Sequence, residues 1–147
     1  EIPEKIFSAG RLDLNTSGLL ILTNDHDFAE AITNPESHVP KTYLVKASVL
    51  LSDVALQQLR QGVVLSDGPT RPALVRRIRD SDQYSFIEIM ISEGRNRQVR
   101  RMFEAVDAKV LKLVRTSIGR IEIDGLPIGN WRELTSEELK SLRPKDV

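Results

Sequence analysis

The hydrophobic pattern changes its period between residues 73–92 and residues 96–107, and this change restricts the possible folds more than any other feature of the sequence. Residues 73–79 and 84–92 alternate apolar with polar side chains around a polar turn, which predicts a hairpin of two half-buried strands. From Asn96 to about Asp107, apolar residues recur instead at the spacing of one helix face. These residues are Val99, Met102, Phe103 and Val106. A hairpin that leads into an amphipathic helix indicates an α+β fold.

Local signals elsewhere predict further short strands and helices. Asp25 and Ser52 are typical helix N-caps, and Gly62 is a typical helix terminator. Residues 135–138 have the pattern of a capping box at the start of a short last helix. The other predicted strands are residues 19–23, 42–49, 110–117 and 120–123, and the other predicted helices are residues 27–33 and 53–60. The sum is an α+β domain in which strands are in the majority.

The composition excludes several kinds of chemistry. The 147 residues fit a single domain. Without cysteine the chain has no disulfide, thiolate nucleophile or zinc-thiolate site, and its two histidines, His26 and His38, leave little for a metal cage or a histidine relay. The longest apolar run, residues 19–22, is far shorter than the roughly 20 residues that cross a membrane, and the first residues do not resemble a signal peptide. We therefore expect a cytoplasmic protein with no metal and no membrane contact.

The charges balance over the whole chain but not along it. Residues 71–120 carry 12 Lys and Arg against 6 Asp and Glu, whereas the full chain has 21 of each. A basic segment in an otherwise acidic chain indicates a surface for a polyanion. The counts are equally compatible with charges that are merely solvated.

A polar loop between two glycines contains the first candidate for chemistry. Asp13 lies between Gly10 and Gly18, close in sequence to Arg11 and to two hydroxyl residues. A carboxylate that such neighbours keep ionised can act as a nucleophile or a base. In the alternative interpretation Asp13 caps the backbone amides of a turn, which is the commoner role of a lone aspartate in such a loop.

The second candidate is a group of four arginines at the start of the predicted helix that follows Gly94. The third candidate is a tyrosine. Arginine suits bidentate contacts with phosphate, and helix N-termini also attract anions. Alternatively, the arginines pair with Glu93, Glu104 and neighbouring acids. Tyr43, early in a predicted strand, is either an ordinary sheet aromatic or a surface on which a base stacks. The four arginines are Arg95, Arg97, Arg100 and Arg101.

Three motifs together resemble the pseudouridine synthases of the RsuA type, the bacterial branch that modifies ribosomal RNA. The segment Gly10-Arg11-Leu12-Asp13, together with residues 16–25, resembles the catalytic-loop motif of that family. Residues 41–45 resemble its tyrosine strand, and residues 93–102 resemble its third motif. The resemblance covers essentially the whole chain in the family's order and extends to residues 67–73 and 126–135.

The resemblance implies a fold and a domain organisation. The expected fold is the pseudouridine synthase catalytic fold, an α+β structure with a mixed, largely antiparallel sheet and flanking helices. Family members usually begin with a small RNA-binding domain of the S4 type, whereas this sequence starts almost at the catalytic motif. We therefore expect residues 1–147 to be an N-terminally truncated catalytic domain without the S4-type domain. Two positions depart from the family pattern, Asn15 where an acid is common and Asp107 where glycine is common.

The resemblance also implies roles for individual residues. Asp13 would be the catalytic aspartate, Tyr43 would pack on the target base, and Arg100 would ion-pair with Asp13. Arg11 would hold the place of the flipped nucleotide or grip its phosphate, and Leu113 is a candidate for the apolar wall of the pocket. The residues expected to contact RNA are Arg11, Thr16, Ser17, Arg95, Asn96, Arg97, Gln98 and Arg101.

The function implied is an isomerase, an RNA pseudouridine synthase that converts a specific uridine of ribosomal RNA to pseudouridine, as a monomer and without a cofactor. Uracil is detached from the ribose, rotated and rejoined through C5, so nothing is oxidised or hydrolysed. Asp13 would either attack the sugar C1′ or remove the C2′ proton, and both mechanisms stay open. Three alternatives also stay open: a transfer RNA substrate, a noncatalytic RNA-binding or ribosome-assembly module, and an unrelated α+β interaction domain.

Overall fold

A computed structural model describes residues 5–142, and these residues form an α+β fold as predicted. Its helices are α1 (His26–Thr33), α2 (Asp53–Gln61), α3 (Gln98–Glu104) and α4 (Ser136–Leu142), with one 3₁₀ turn at Pro35–Ser37. Its strands are β1 (Phe7–Ser8), β2 (Thr16–Gly18), β3 (Leu22–Thr23), β4 (Lys41–Ala47), β5 (Val64–Leu65), β6 (Gly68–Pro69), β7 (Leu74–Asp80), β8 (Ser85–Ile91), β9 (Val110–Ile118) and β10 (Ile121–Glu122). Within residues 5–142 no helix is long and apolar enough to cross a membrane.

A six-stranded sheet forms the centre of the fold. Its strand order is β10-β9-β4-β8-β7, and β2 joins it by pairing with β9. The β2–β9 pair is parallel and the other pairs are antiparallel, which confirms the mixed, largely antiparallel sheet. The predicted hairpin is confirmed as β7 and β8, and the inward residues of β8, such as Ile87 and Ile89, are fully buried.

The core of the fold consists of two hydrophobic clusters. The larger cluster packs α2 and α3 on the sheet and includes Phe103 and Leu59, both fully buried. The smaller cluster gathers around α1 and includes Ile32 and Ile118. Residues of both clusters line one cavity, for example Ile91 of the larger cluster and Ile32 of the smaller one.

The predicted helix caps are confirmed. Asp25 Oδ1 accepts a hydrogen bond of 3.1 Å from the Phe28 amide at the start of α1, and Ser52 caps α2 in the same way. At α4 the capping box is complete, because the Thr135 hydroxyl accepts from the Glu138 amide (3.1 Å) and the Glu138 carboxylate accepts from the Thr135 amide (2.9 Å).

The strand predicted over residues 19–23 is wrong in its extent. β2 ends at Gly18 and β3 begins at Leu22, so the apolar residues between them are irregular although Leu19 is buried. Gly18 has φ +116°, and a Cβ at this position would overlap the backbone of Arg115. The chain therefore turns away from the sheet at this crossing, where the Leu19 amide donates to the Arg115 carbonyl (2.8 Å).

Candidate active site

A cavity of about 370 Å³ opens between the loop that precedes β2, the strands β4 and β9, and the start of α3. Its floor consists of Lys41, Tyr43, Leu113 and Arg115, which lie on the two strands and are buried or half-buried. Its rim includes the exposed residues Arg11, Asn96 and Arg97, which lie on the surrounding loops. The floor is thus part of the rigid sheet, and the rim is held by loops.

Asp13 lies half-buried in this cavity, on the loop between β1 and β2. The Thr16 amide donates to the Asp13 carbonyl (3.0 Å), and Asn15 adopts a left-handed conformation with φ 67°, so the loop makes a tight turn. Within residues 5–142 the Asp13 carboxylate has no hydrogen bond and no ion pair. Among the described residues it therefore does not cap backbone amides and is free to meet a ligand.

Tyr43 lies beside Arg115 on the floor, because the two residues are partners in the register of β4 and β9. Burial raises the pKa of the Tyr43 phenol above its ordinary value, the nearby Arg115 guanidinium partly opposes this rise, and the Asp13 charge adds to it. Tyr43 is therefore a neutral phenol at physiological pH. Leu113, predicted to form the apolar wall, is buried and lines the same floor.

Arg100 does not form the expected ion pair with Asp13 in this structure. Its Nη2 donates to the Asn15 carbonyl (2.7 Å) and its Nη1 to the Val110 carbonyl (3.4 Å). Burial lowers the pKa of Arg100, as does the charge of Arg97, while Asp13 acts in the opposite direction. Arg100 thus joins α3 to the turn that presents Asp13, and its influence on the carboxylate is electrostatic at longer range.

Two of the predicted RNA-binding arginines are already paired with acids. Arg101 makes a bidentate contact with Asp67 (3.0 and 3.1 Å), and Arg95 contacts Glu93 (3.2 Å) and Asp67 (3.3 Å). These contacts fix the β5–β6 hairpin to the start of α3. Gln98 is also structural in this arrangement, since it is buried and its amide donates to Glu93 (2.8 Å). The alternative interpretation from the sequence, arginines paired with acids, therefore fits Arg95 and Arg101.

The other predicted RNA-binding residues differ in how they meet the cavity. Arg11 and Arg97 line the rim and have no hydrogen-bonding or ion-pair partner for their side chains within residues 5–142. Arg97 has φ 49°, an uncommon conformation for a residue with a side chain, at the start of α3. Thr16 lines the cavity and its hydroxyl is buried without a partner, whereas Ser17 is exposed outside it.

Two cations of the floor, Lys41 and Arg115, were not predicted as site residues from the sequence. Arg115 is only 5% exposed, and its Nε donates to the Leu19 carbonyl (3.0 Å). Burial lowers the pKa of Lys41, and the neighbouring Arg115 charge adds to this effect. The signal in the sequence was the position of Arg115 two residues after Leu113, which places both on one face of a strand.

The lining of the cavity combines one acid with several bases. Asp13 is its single carboxylate among the described residues. Such a site attracts an anionic ligand and brings it to the Asp13 carboxylate beside an aromatic ring. The lining bases are Arg11, Lys41, Arg95, Arg97 and Arg115.

Comparison with known proteins identifies the family. A family model described as RNA pseudouridylate synthase matches residues 1–105. The chain is 44% identical to a ribosomal large subunit pseudouridine synthase B of Bacillus subtilis, covering 97% of this chain and 59% of that protein. It is 41% identical to a ribosomal small subunit pseudouridine synthase A of Yersinia pestis, covering 94% of this chain and 58% of that protein.

A solved structure gives the same result. The chain is similar to a crystal structure of a pseudouridylate synthase with a TM-score of 0.88 and 37% identity, covering 95% of this chain and 60% of that chain. This chain therefore spans somewhat more than half the length of the relatives it matches. The expected fold is confirmed, and the chain belongs to the RNA pseudouridylate synthase family.

Proposed function

We propose that this chain is the catalytic domain of a synthase that isomerises a uridine of ribosomal RNA to pseudouridine, with Asp13 as the essential residue. The observation that carries the proposal is the Asp13 carboxylate. It has no hydrogen-bonding partner within residues 5–142 and is the single acid in a cavity that also contains five basic residues and Tyr43. Relatives named for the large and for the small ribosomal subunit support a ribosomal substrate.

The floor supports a flipped-out base. A uracil that leaves the RNA stack needs an aromatic surface in the pocket, and stacking on the Tyr43 ring supplies about 1–3 kcal/mol. The neutral Tyr43 phenol adds no negative charge beside Asp13. Leu113 closes the apolar side of the same space.

The reaction needs only groups that the pocket provides. Asp13 acts on the ribose, either at C1′ or on the C2′ proton, and the C1′–N1 bond breaks with its electron pair on N1. The uracil then turns and C5 bonds to C1′ as the Asp13–C1′ bond breaks, or as Asp13 returns the proton to C2′. The hydrogen on C5 leaves as a proton, and N1 takes up a proton. Atoms and electrons balance without an oxidant, a reductant or a cofactor.

The rim suits the RNA backbone. Arg11 and Arg97 are exposed and have no partner for their side chains within residues 5–142, so both can contact phosphates without breaking an internal ion pair. Arg95 and Arg101 hold the rim in place through Asp67, and Arg100 holds the turn that carries Asp13. Binding by such residues weakens with salt.

The test is release of tritium from unmodified ribosomal RNA labelled at uridine C5. We expect release by the wild-type chain and a loss of about 10⁴-fold or more in Asp13→Asn, with RNA binding unchanged. Asp82→Asn, an exposed aspartate in the β7–β8 turn, is the matched control and keeps wild-type release. RNA binding without release by the wild type would contradict the proposal and favour a noncatalytic RNA-binding module.

A further inference from the structure

Arg115 is the most deeply buried charged side chain of residues 5–142. Its Nε is satisfied by the Leu19 carbonyl, but its Nη2 is buried and has no hydrogen-bonding partner. A buried guanidinium with an unsatisfied N–H group destabilises a fold unless a ligand completes it. This side chain lines the cavity, so a ligand in the cavity can reach it.

Arg115 lies beside Tyr43, the proposed stacking surface for the flipped base. The two residues face each other across β4 and β9, and Leu113 precedes Arg115 by two residues on the same face. RNA phosphates stay on the backbone of the nucleotide, nearer the rim where Arg11 and Arg97 are exposed. A group that reaches the floor is therefore the base.

The floor is also electrostatically prepared for negative charge. Lys41 lies close enough to Arg115 for the two charges to interact, and neither forms an ion pair within the described residues. Two neighbouring cations, one buried and one half-buried, favour an anion between them. While uracil is detached from the ribose, the electron pair left on N1 spreads to the O2 and O4 carbonyl oxygens of the ring.

We propose that Arg115 is a catalytic residue whose guanidinium donates a hydrogen bond to a carbonyl oxygen of the flipped uracil and stabilises the charge of the detached ring. This role rests on the proposed function and adds a residue to it. The planar guanidinium suits the planar edge of the base, and a fixed donor aimed at developing charge accelerates the chemical step more than it tightens binding.

The experiment compares the wild-type chain with Arg115→Gln, Arg115→Lys and the surface control Arg76→Gln, whose side chain is 68% exposed on β7. The measurements are the single-turnover rate of tritium release at saturating enzyme, RNA affinity as a function of KCl, and the melting temperature. We expect the Arg115→Gln rate to fall by about 10²- to 10³-fold with unchanged affinity and salt dependence. Arg115→Lys keeps the charge but cannot donate hydrogen bonds to the Leu19 carbonyl and to the base at the same time. We therefore expect its single-turnover rate to fall by at least about tenfold. Arg76→Gln keeps the wild-type rate.

The outcomes separate the two proposals. No release by the wild-type chain overturns the proposed function and the role of Arg115 with it. With an active wild type, a loss of less than tenfold in either folded Arg115 variant overturns the role of Arg115. The catalytic role of Arg115 is also overturned, in favour of a phosphate contact, if RNA binding weakens while the rate stays unchanged. In that case the slope of log affinity against log salt becomes shallower by about one. If Arg115→Gln does not fold, Arg115→Lys decides by the same criterion.

Discussion

The floor and the rim of the cavity present positive charge in different ways. On the floor, Lys41 and Arg115 lie on paired strands and are largely removed from water. On the rim, Arg11 and Arg97 are exposed and lie outside the sheet. A charge in a fixed, dry position acts strongly on one reacting group, whereas an exposed charge contributes salt-sensitive attraction to a polyanion. We therefore expect the floor to govern the rate and the rim to govern RNA affinity.

The largest effect on the floor is expected at Gly18, which lets β2 pass close to Arg115. In Gly18→Ala the new Cβ overlaps the Arg115 backbone and φ +116° is strained, so we expect a loss of about 3 kcal/mol in the free energy of unfolding. Gly129→Ala is the matched control, because φ there is +80° but nothing lies within 4 Å. It should lose only about 1 kcal/mol in denaturant titrations. Equal losses would show that β2 and β9 are not in such close contact.

Removing the aromatic surface of the floor should lower the rate of catalysis by less than the losses expected at Asp13 and Arg115. Tyr43→Leu removes stacking worth about 1–3 kcal/mol, so kcat/KM for tritium release should fall by roughly 10- to 100-fold. The salt dependence of RNA binding should stay the same. Tyr84→Leu is a suitable control, since Tyr84 contacts Lys46 and does not line the cavity. A similar loss in both variants would show that the effect of Tyr43 does not depend on its position in the cavity.

Substitutions on the rim should change the salt dependence of binding. Arg97→Gln should make the slope of log affinity against log salt shallower by about one, with the single-turnover rate reduced less than the affinity. Arg101→Gln is the comparison, because its charge is already paired with Asp67 and should contribute less to the slope. Filter binding over a range of KCl concentrations measures both. A larger slope change in Arg101→Gln would reverse the assignment of free and paired arginines.

The smallest effect lies outside the cavity, in the capping box of α4. Hydrogen bonds from Arg132 and Thr135 lower the pKa of Glu138 from 4.5 to about 2. Because the folded-state pKa is depressed, the stabilisation is complete above pH 4.5 and is lost as the pH falls towards 2. The protection of the α4 amides against hydrogen exchange, relative to the unfolded chain at the same pH, should therefore fall over this range in the wild type but not in Glu138→Gln. Tritium release should be the same in both at neutral pH, and a change there would link α4 to the site.

The local part of the fold could be predicted from the sequence, because caps and alternation act within a few residues. The β7–β8 hairpin and the N-caps Asp25 and Ser52 are examples. The departure at Asp107 also has a local reason, since φ 63° places it at the left-handed position of a helix end, where glycine fits best. Hydrogen bonds from the Asp107 amide to the Glu104 carbonyl and from the Ala108 amide to the Phe103 carbonyl complete that end.

The site could be predicted only in part. The resemblance indicated Asp13, Tyr43 and Leu113, and the structure brings all three to one cavity. The pairing of Arg101 with Asp67 joins residues 34 apart in sequence, and no local pattern indicates it. Arg115 reaches the floor only because β4 pairs with β9 and β2 crosses beside it, which are long-range contacts.

The most direct test of the central claim is a nucleoside analysis of unmodified ribosomal RNA after incubation with the wild-type chain and with Asp13→Asn. Pseudouridine has the same mass as uridine but separates from it by chromatography after digestion. We predict that pseudouridine appears with the wild type and is absent with Asp13→Asn, although both bind the RNA. Equal amounts of pseudouridine from both proteins, or none from either while both bind, would contradict the assignment of Asp13 as the catalytic residue of this pocket.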